Sequence, residues 1–291
     1  VVMQVGSDSA AETEHHAVLE ALEKIAYLKA EASSCADVRL LRARRDLDEC
    51  LEAGTIGILF MLEGGKPLSD NAAYVSVYHD LGVRMIALTW NDCNLLACGS
   101  GANHQTGGLT PLGIEVVSEM SRLSMILDIS HLSDVCVDHA LSITSGPVVA
   151  SHSNARSVCS HDRNLSDRHL RAIGERGGVI GINFFPRFLT ESGRPGPEHV
   201  LAHLDHIINV AGEDAVGLGP DFIDYNLDSV VSSLRRSTVD YGSDFAYPTD
   251  LECTSKLCHM PLILERAGYT PRQIEKILNR NWLRVIREAL P

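Results

Sequence analysis

Ile56-Gly57-Ile58-Leu59-Phe60-Met61-Leu62-Glu63 decides the fold: a run of apolar residues and glycine with no polar alternation, closed by a carboxylate. A strand with one wet face alternates between apolar and polar residues. A run this continuous is the pattern of a strand buried on both faces, as in a parallel sheet covered by helices. Six more runs of the same kind occur: VVMQV at 1–5, RMIALTW at 84–90, MILDIS at 125–130, PVVAS at 147–151, GVIGINFF at 178–185 and AVGLG at 215–219. Between them lie segments with helical spacing of apolar residues, at 11–31, 112–123, 133–142, 166–176 and 197–211. Thr270-Pro271-Arg272-Gln273 opens a last helix to about 289, with a cap residue, Pro at the first helical position and Gln three residues after the cap. Strands alternating with helices predict an α/β fold with right-handed crossovers. The expected form is a (β/α)₈ TIM barrel occupying 1–291 as one domain, which seven runs leave one strand short; a doubly wound open sheet tolerates seven but usually carries a Gly-rich turn after its first strand, and none follows Val5. The irregular stretch 222–254 is read as an active-site loop region. The Gly-rich stretch at 99–108 does not open a helix directly after a strand, so it does not read as a phosphate loop.

Composition narrows the partners. Among 291 residues, 25 Lys and Arg stand against 38 Asp and Glu, a net charge of −13 with no basic run to follow a phosphate backbone; nucleic acid is excluded as a partner. No stretch approaches the length of an apolar membrane span, and the first residues lack the pattern of a signal peptide. The eight cysteines contain no C-x-x-C pair and do not read as a disulfide framework, so reduced thiols in a cytoplasmic protein are expected. Val1 in place of Met points to a fragment or a processed form.

The polar residues gather at strand ends. Glu63, Trp90-Asn91-Asp92, His131, His152, Asn183 and Asp221 each follow or close one of the runs. In a parallel barrel these carboxyl ends share one face, where barrel enzymes keep their chemistry. Glu63, His131 and His152 form a donor set suited to a divalent metal such as Zn²⁺, and Asp221 could handle protons. A single His or Glu at a strand end is more often a cap or a loop anchor; several at equivalent positions favour a site. His15, His16, His169, His199, His203 and His206 fall in helices with polar neighbours and read as solvated. Cys136, Cys159, Cys253 and Cys258 with His259 read as inert.

Several of these stretches resemble the membrane (renal) dipeptidase family: IGILFMLEGG, LTWNDCN, the series from GGLTPLG through LDISHLS, VVASHSNARSVCSHDRNLSD, GLGPDF and the C-terminal GYTPRQIEKILNRNWLRV. The resemblance covers the whole chain. It implies a zinc-dependent barrel hydrolase that cleaves dipeptides with two metal ions in an intact site. Glu63 matches the carboxylate bridging both metals, and His131 and His152 match imidazoles of one. Asp221 matches the proton-moving acid, so Glu63 and Asp221 are the expected catalytic pair. Arg163 matches the arginine holding the substrate carboxylate, a task for its planar fork of donors. Trp90 stands where mammalian members have a substrate-contacting histidine, and Asn183 and Phe185 are expected to line the substrate site. Trp90 is one of three departures from the family. The family's first strand, whose His-x-Asp supplies the other metal's ligands, does not occur in these residues, which leaves the expected barrel without that strand, and FIDY at 222–225 replaces the common FDG. Related activities on another amide or a lactam, or a non-catalytic binding role if the His-x-Asp strand is truly absent, stay open alternatives. A homodimer is expected only because relatives form one.

Overall fold

The computed structural model describes residues 1–8, 13–102, 107–191, 193–222, 234, 237–242 and 245–291. They form two compact units, Val1–Pro147 with Ile286–Pro291, and Val148–Val285.

The first unit is built on parallel strands. β1 (Val2–Ser7) pairs with β3 (Ile56–Glu63), β3 with β4 (Val83–Ala87), and β4 with β5 (Ile126–Asp128). Leu59, Phe60 and Leu62 are at most 1% exposed, which accounts for the unbroken apolar run: both faces of β3 lie in the core. Each such side chain contributes roughly 1.5–3 kcal/mol by leaving water. β2 (Val38–Leu40), which has no counterpart among the seven runs, pairs only with the first residues of β3. Two half-buried residues on either side of an exposed arginine leave no apolar signature. The helix Glu14–Ser34 buries Ala17, Ala21 and Ile25 and packs on β1; Thr13 caps it by accepting from the His16 N–H at 3.2 Å. The helices Arg44–Ala53 and Tyr74–Leu81 were likewise not expected from the sequence. Pro111–Arg122 and Asp134–Ile143 match the expected segments within two residues, the first capped by Thr110. Cys93 and Cys98 form a disulfide, which corrects the expectation that all thiols are reduced. Five residues of separation and a turn bring them together, where no spacing motif announced it.

In the second unit β7 (Ile180–Ile182) pairs in parallel with β8 (Val216–Leu218), and an Ala150 to Ile180 bridge follows directly on β6 (Val148–Val149). Helices Asp167–Glu175 and Pro197–Ala211 pack on each other. Here a second correction arises: His169 and His203 are fully buried rather than solvated. His203 takes its place by satisfying backbone, accepting from Ala155 N–H at 3.1 Å and donating to Leu189 O at 3.2 Å. The capping box at Thr270 and Gln273 forms as expected, and the helical segment it opens runs through Pro271–Glu275, a π turn over Lys276–Arg280 and a final helix Asn281–Ala289, ending where the sequence places it. Beyond the π turn, Asn281 Nδ2 donates to Val216 O at 2.7 Å and Trp282 Nε1 to Leu218 O at 3.0 Å, so both ends of β8 are held by the final helix. Much of the expected loop region 222–254 lies outside the described residues. Among the described residues no helix is long and apolar enough to cross a membrane.

Candidate active site

In the first unit Glu63 closes β3 and is oriented by its neighbour strand. Gln4 Nε2 donates to Glu63 Oε2 at 3.0 Å. The β1–β3 register slips between Gln4 and Gly6, a bulge of the kind that re-aims a side chain beside a site. Burial raises the pKa of Asp8, whose carboxylate accepts from Lys66 N–H at 2.8 Å and Asn94 Nδ2 at 2.7 Å and so ties the end of β1 to the turn after Glu63.

His131 stands three residues beyond the end of β5, in Asp128-Ile129-Ser130-His131. Asp128 Oδ1 accepts from both the backbone N–H and the hydroxyl of Ser130, at 3.0 and 2.8 Å, and this turn delivers the imidazole. The loop closed by the Cys93–Cys98 disulfide brackets the backbone, since Ser100 N–H donates to His131 O at 2.7 Å and Ser133 N–H to Cys98 O at 3.0 Å. Asn91 is buried, and its Oδ1 lies 3.0 Å from His131 Nδ1. An amide oxygen can only accept, so Nδ1 carries the proton and the lone pair is on Nε2. That lone pair faces Glu63 Oε1 at 3.2 Å. Two acceptors this close need a shared proton or a cation between them. Two ligands each ~2.0–2.2 Å from a tetrahedral zinc lie ~3.3–3.5 Å apart, so the spacing suits a shared ion. A ligating His that gives its other N–H to an acceptor is the usual arrangement at metals. Trp90, half-buried, places its ring 6.0 Å from that of His131.

In the second unit His152 follows β6, with Nδ1 2.7 Å from Ser151 Oγ. Gly181 and Gly219 crowd the Ser151 carbonyl so closely that a Cβ would lie 2.1 and 1.9 Å from it, which explains glycine at both positions. Asn183, just beyond β7, is fully buried. Its Nδ2 donates to Asp221 Oδ2 at 3.1 Å and His152 O at 3.4 Å, and its Oδ1 accepts from Phe185 N–H at 2.6 Å. The amide thus serves the protein, holding Asp221. Asp221, after β8, is exposed and has a left-handed backbone at φ 59°; its carbonyl accepts from Tyr247 Oη at 2.5 Å. Phe185 is buried with Phe188, Tyr241, Phe245 and Tyr247 around its ring.

Arg163 is 2% exposed, its guanidinium 5.5 Å over the Phe188 ring. Its backbone N–H donates to His161 Nδ1 at 3.1 Å, and His161 Nε2 donates to Asp240 O at 2.7 Å. Burial holds the His161 pKa below the usual imidazole value, consistent with the neutral ring that accepts from Arg163. A cation kept this dry suits an anionic partner.

The structure therefore pairs Glu63 with His131 and Asn183 with Asp221, sets Trp90 beside His131, and seats Arg163 on an aromatic wall. Gln4 and Tyr247 are the contributors that sequence reasoning passed over. Gln4 had a trace, being the one polar residue in its apolar run; Tyr247 had none beyond its Tyr-Pro-Thr-Asp turn.

The model of the membrane dipeptidase family, peptidase family M19, matches residues 3–236. An uncharacterized protein in the pqqA 5′ region of Klebsiella pneumoniae is 32% identical over 89% of this chain and 91% of its own length. An uncharacterized dipeptidase of Schizosaccharomyces pombe is 35% identical over 81% of this chain, which spans 54% of that relative. Among solved structures, an amidohydrolase from Pseudomonas aeruginosa superposes with a TM-score of 0.89 at 25% identity, covering 99% of this chain and 88% of its own. A metallopeptidase from Rhodobacter sphaeroides, liganded with a phosphinate mimic of the dipeptide L-Ala-D-Ala, gives 0.81 at 28% identity over 95% of this chain and 76% of its own. The α/β fold with parallel strands expected from the sequence is the fold of these structures.

Proposed function

The chain belongs to the membrane dipeptidase family of metallopeptidases, and from that membership we propose that it hydrolyses the peptide bond of dipeptides with a metal-activated water. The observation carrying the proposal is the Glu63 and His131 pair, an imidazole whose tautomer is set by Asn91 and whose lone pair faces a carboxylate at 3.2 Å. By their match to the family's ligands, Glu63, His131 and His152 would hold a zinc ion, as three donors of the kind that suit it. A bound divalent ion supplies Lewis-acid polarisation of the scissile carbonyl and brings the pKa of water near neutrality.

This chain's own residues do the rest. Asp221, steadied by Asn183, takes the proton of the attacking water and returns it to the leaving amine. Arg163 binds the free carboxylate of the substrate through its planar fork and so restricts the enzyme to short peptides. Trp90, beside His131, and Phe185, within its aromatic cluster, are each assigned a contact with the substrate. A homodimer completes the reading, on the likeness to relatives alone.

The test is hydrolysis of a dipeptide and of its C-terminal amide by the zinc-loaded protein, with and without a chelator, and with Arg163→Met. Dipeptide cleavage abolished by chelation and restored by zinc is expected. The amide and the variant should both be poorer by roughly 30-fold or more, the equivalent of about 2–5 kcal/mol for one buried charged contact. Equal turnover of dipeptide and amide would remove the carboxylate clamp. Cleavage of a lactam or another amide with every dipeptide inert would move the assignment to a different amidohydrolase.

A further inference from the structure

Asp221 combines two features that do not ordinarily occur together in a group asked to move a proton at a fixed point. It is exposed, and its backbone sits at φ 59°, a conformation uncommon outside glycine, asparagine and aspartate. Two contacts from other elements fix it. Tyr247, twenty-six residues later in the chain, donates its hydroxyl to the Asp221 carbonyl at 2.5 Å. The Tyr247 ring is itself fixed, 8% exposed, 5.2 Å from the ring of Phe222 and 6.0 Å from that of Phe185. From the other side Asn183, fully buried, donates Nδ2 to Asp221 Oδ2 at 3.1 Å. Asn183 in turn is locked by Asn154, whose Oδ1 accepts from Asn183 N–H at 3.0 Å and whose Nδ2 donates to Asn183 O at 2.9 Å.

We propose that Tyr247 is a positioning residue for Asp221: its hydroxyl holds the left-handed backbone that presents the carboxylate to Asn183, so the main chain and the side chain of one aspartate are fixed from two elements. The proposal rests on the reading of Asp221 as the proton carrier. A phenol suits the task because its reach spans from an aromatic cluster to a carbonyl while burying little polar surface. Removing the hydroxyl leaves the ring packing intact and frees the peptide plane at Asp221.

Tyr247→Phe is the test, in the full chain. The expected result is a fall in kcat of roughly tenfold, the effect of one lost hydrogen bond worth about a factor of ten, with KM within twofold and thermal stability close to the parent. In an Asp221→Asn background the same substitution should change kcat by less than twofold, because residues acting as a unit are not additive. A crystal structure of Tyr247→Phe should show Asp221 out of the left-handed region or its carboxylate beyond hydrogen-bonding distance of Asn183. An unchanged kcat, a tenfold loss that persists in the Asp221→Asn background, or an Asp221 unmoved in the crystal would each overturn the proposal. If the parent protein cleaves no dipeptide, the functional reading fails by itself, and the crystal comparison still decides the role of Tyr247.

Discussion

Acid should weaken this protein through His203. Burial depresses its pKa from the ordinary 6.5 to about 4, with the nearby His206 and His199 adding to the effect and the bond to Leu189 O opposing it. Geometry gives the same answer: Nδ1 accepts from Ala155 N–H at 3.1 Å, and a proton on Nδ1 would point at that N–H. The unfolded chain takes up this proton near pH 6.5 and the folded chain only near 4, so between those values the unfolded state binds more protons. Stability from this group is therefore complete above about pH 6.5 and declines as pH falls toward 4. The loss is about 2 kcal/mol at pH 5 and approaches about 3 kcal/mol below pH 4. The measurement is denaturant unfolding of the parent and of His203→Gln at pH 7, 6, 5 and 4.5, with fluorescence and circular dichroism required to coincide. The variant loses the imidazole acceptor for Ala155 and starts less stable by about 1–3 kcal/mol at pH 7, so the comparison is of slopes. A parent curve about 2 kcal/mol steeper between pH 7 and 5 is expected. Parallel curves would show that His203 is not the titrating group and that its buried neutral state carries no stability.

Asn91→Leu, which removes the acceptor fixing the His131 tautomer, should weaken zinc binding by roughly 10–100-fold in a competition titration, while Asn91→Asp retains it; equal affinities in all three proteins would refute the role of the contact. Asp221→Asn should lower kcat by roughly 10²–10⁴-fold with zinc content unchanged, and an unaltered kcat would assign the proton to another group. Replacing both Cys93 and Cys98 by Ser should cost about 2 kcal/mol, from the loop entropy of a short ring, read as a shift of the denaturant midpoint that the parent shows only under reductant; no shift would mean the loop is held by its backbone bonds to residues 131–133 alone.

The sequence by itself determined the seven strands that its apolar runs mark and five of the helices between them. Seven runs such as Leu59 to Leu62 had to be strands because a stretch apolar on both faces has to be covered on both, and the Thr270 to Gln273 cap is legible because it is made within four residues. Within the first unit, Glu63 and His131 follow from the same logic, since a parallel strand delivers its last residues to the same side as its neighbours. Tertiary structure decided what depends on distant partners. Gln4 reaches Glu63 only through a register slip that no local pattern encodes, and Tyr247 finds the Asp221 carbonyl only after the chain has returned across an aromatic cluster. His203 reads as a wet helix residue until Ala155 and Leu189 are brought to its two nitrogens. Periodicity and capping are short-range and survive in a sequence. A hydrogen bond between residues dozens of positions apart leaves no trace there, because any polar residue fits the local rules and only packing selects which one it meets.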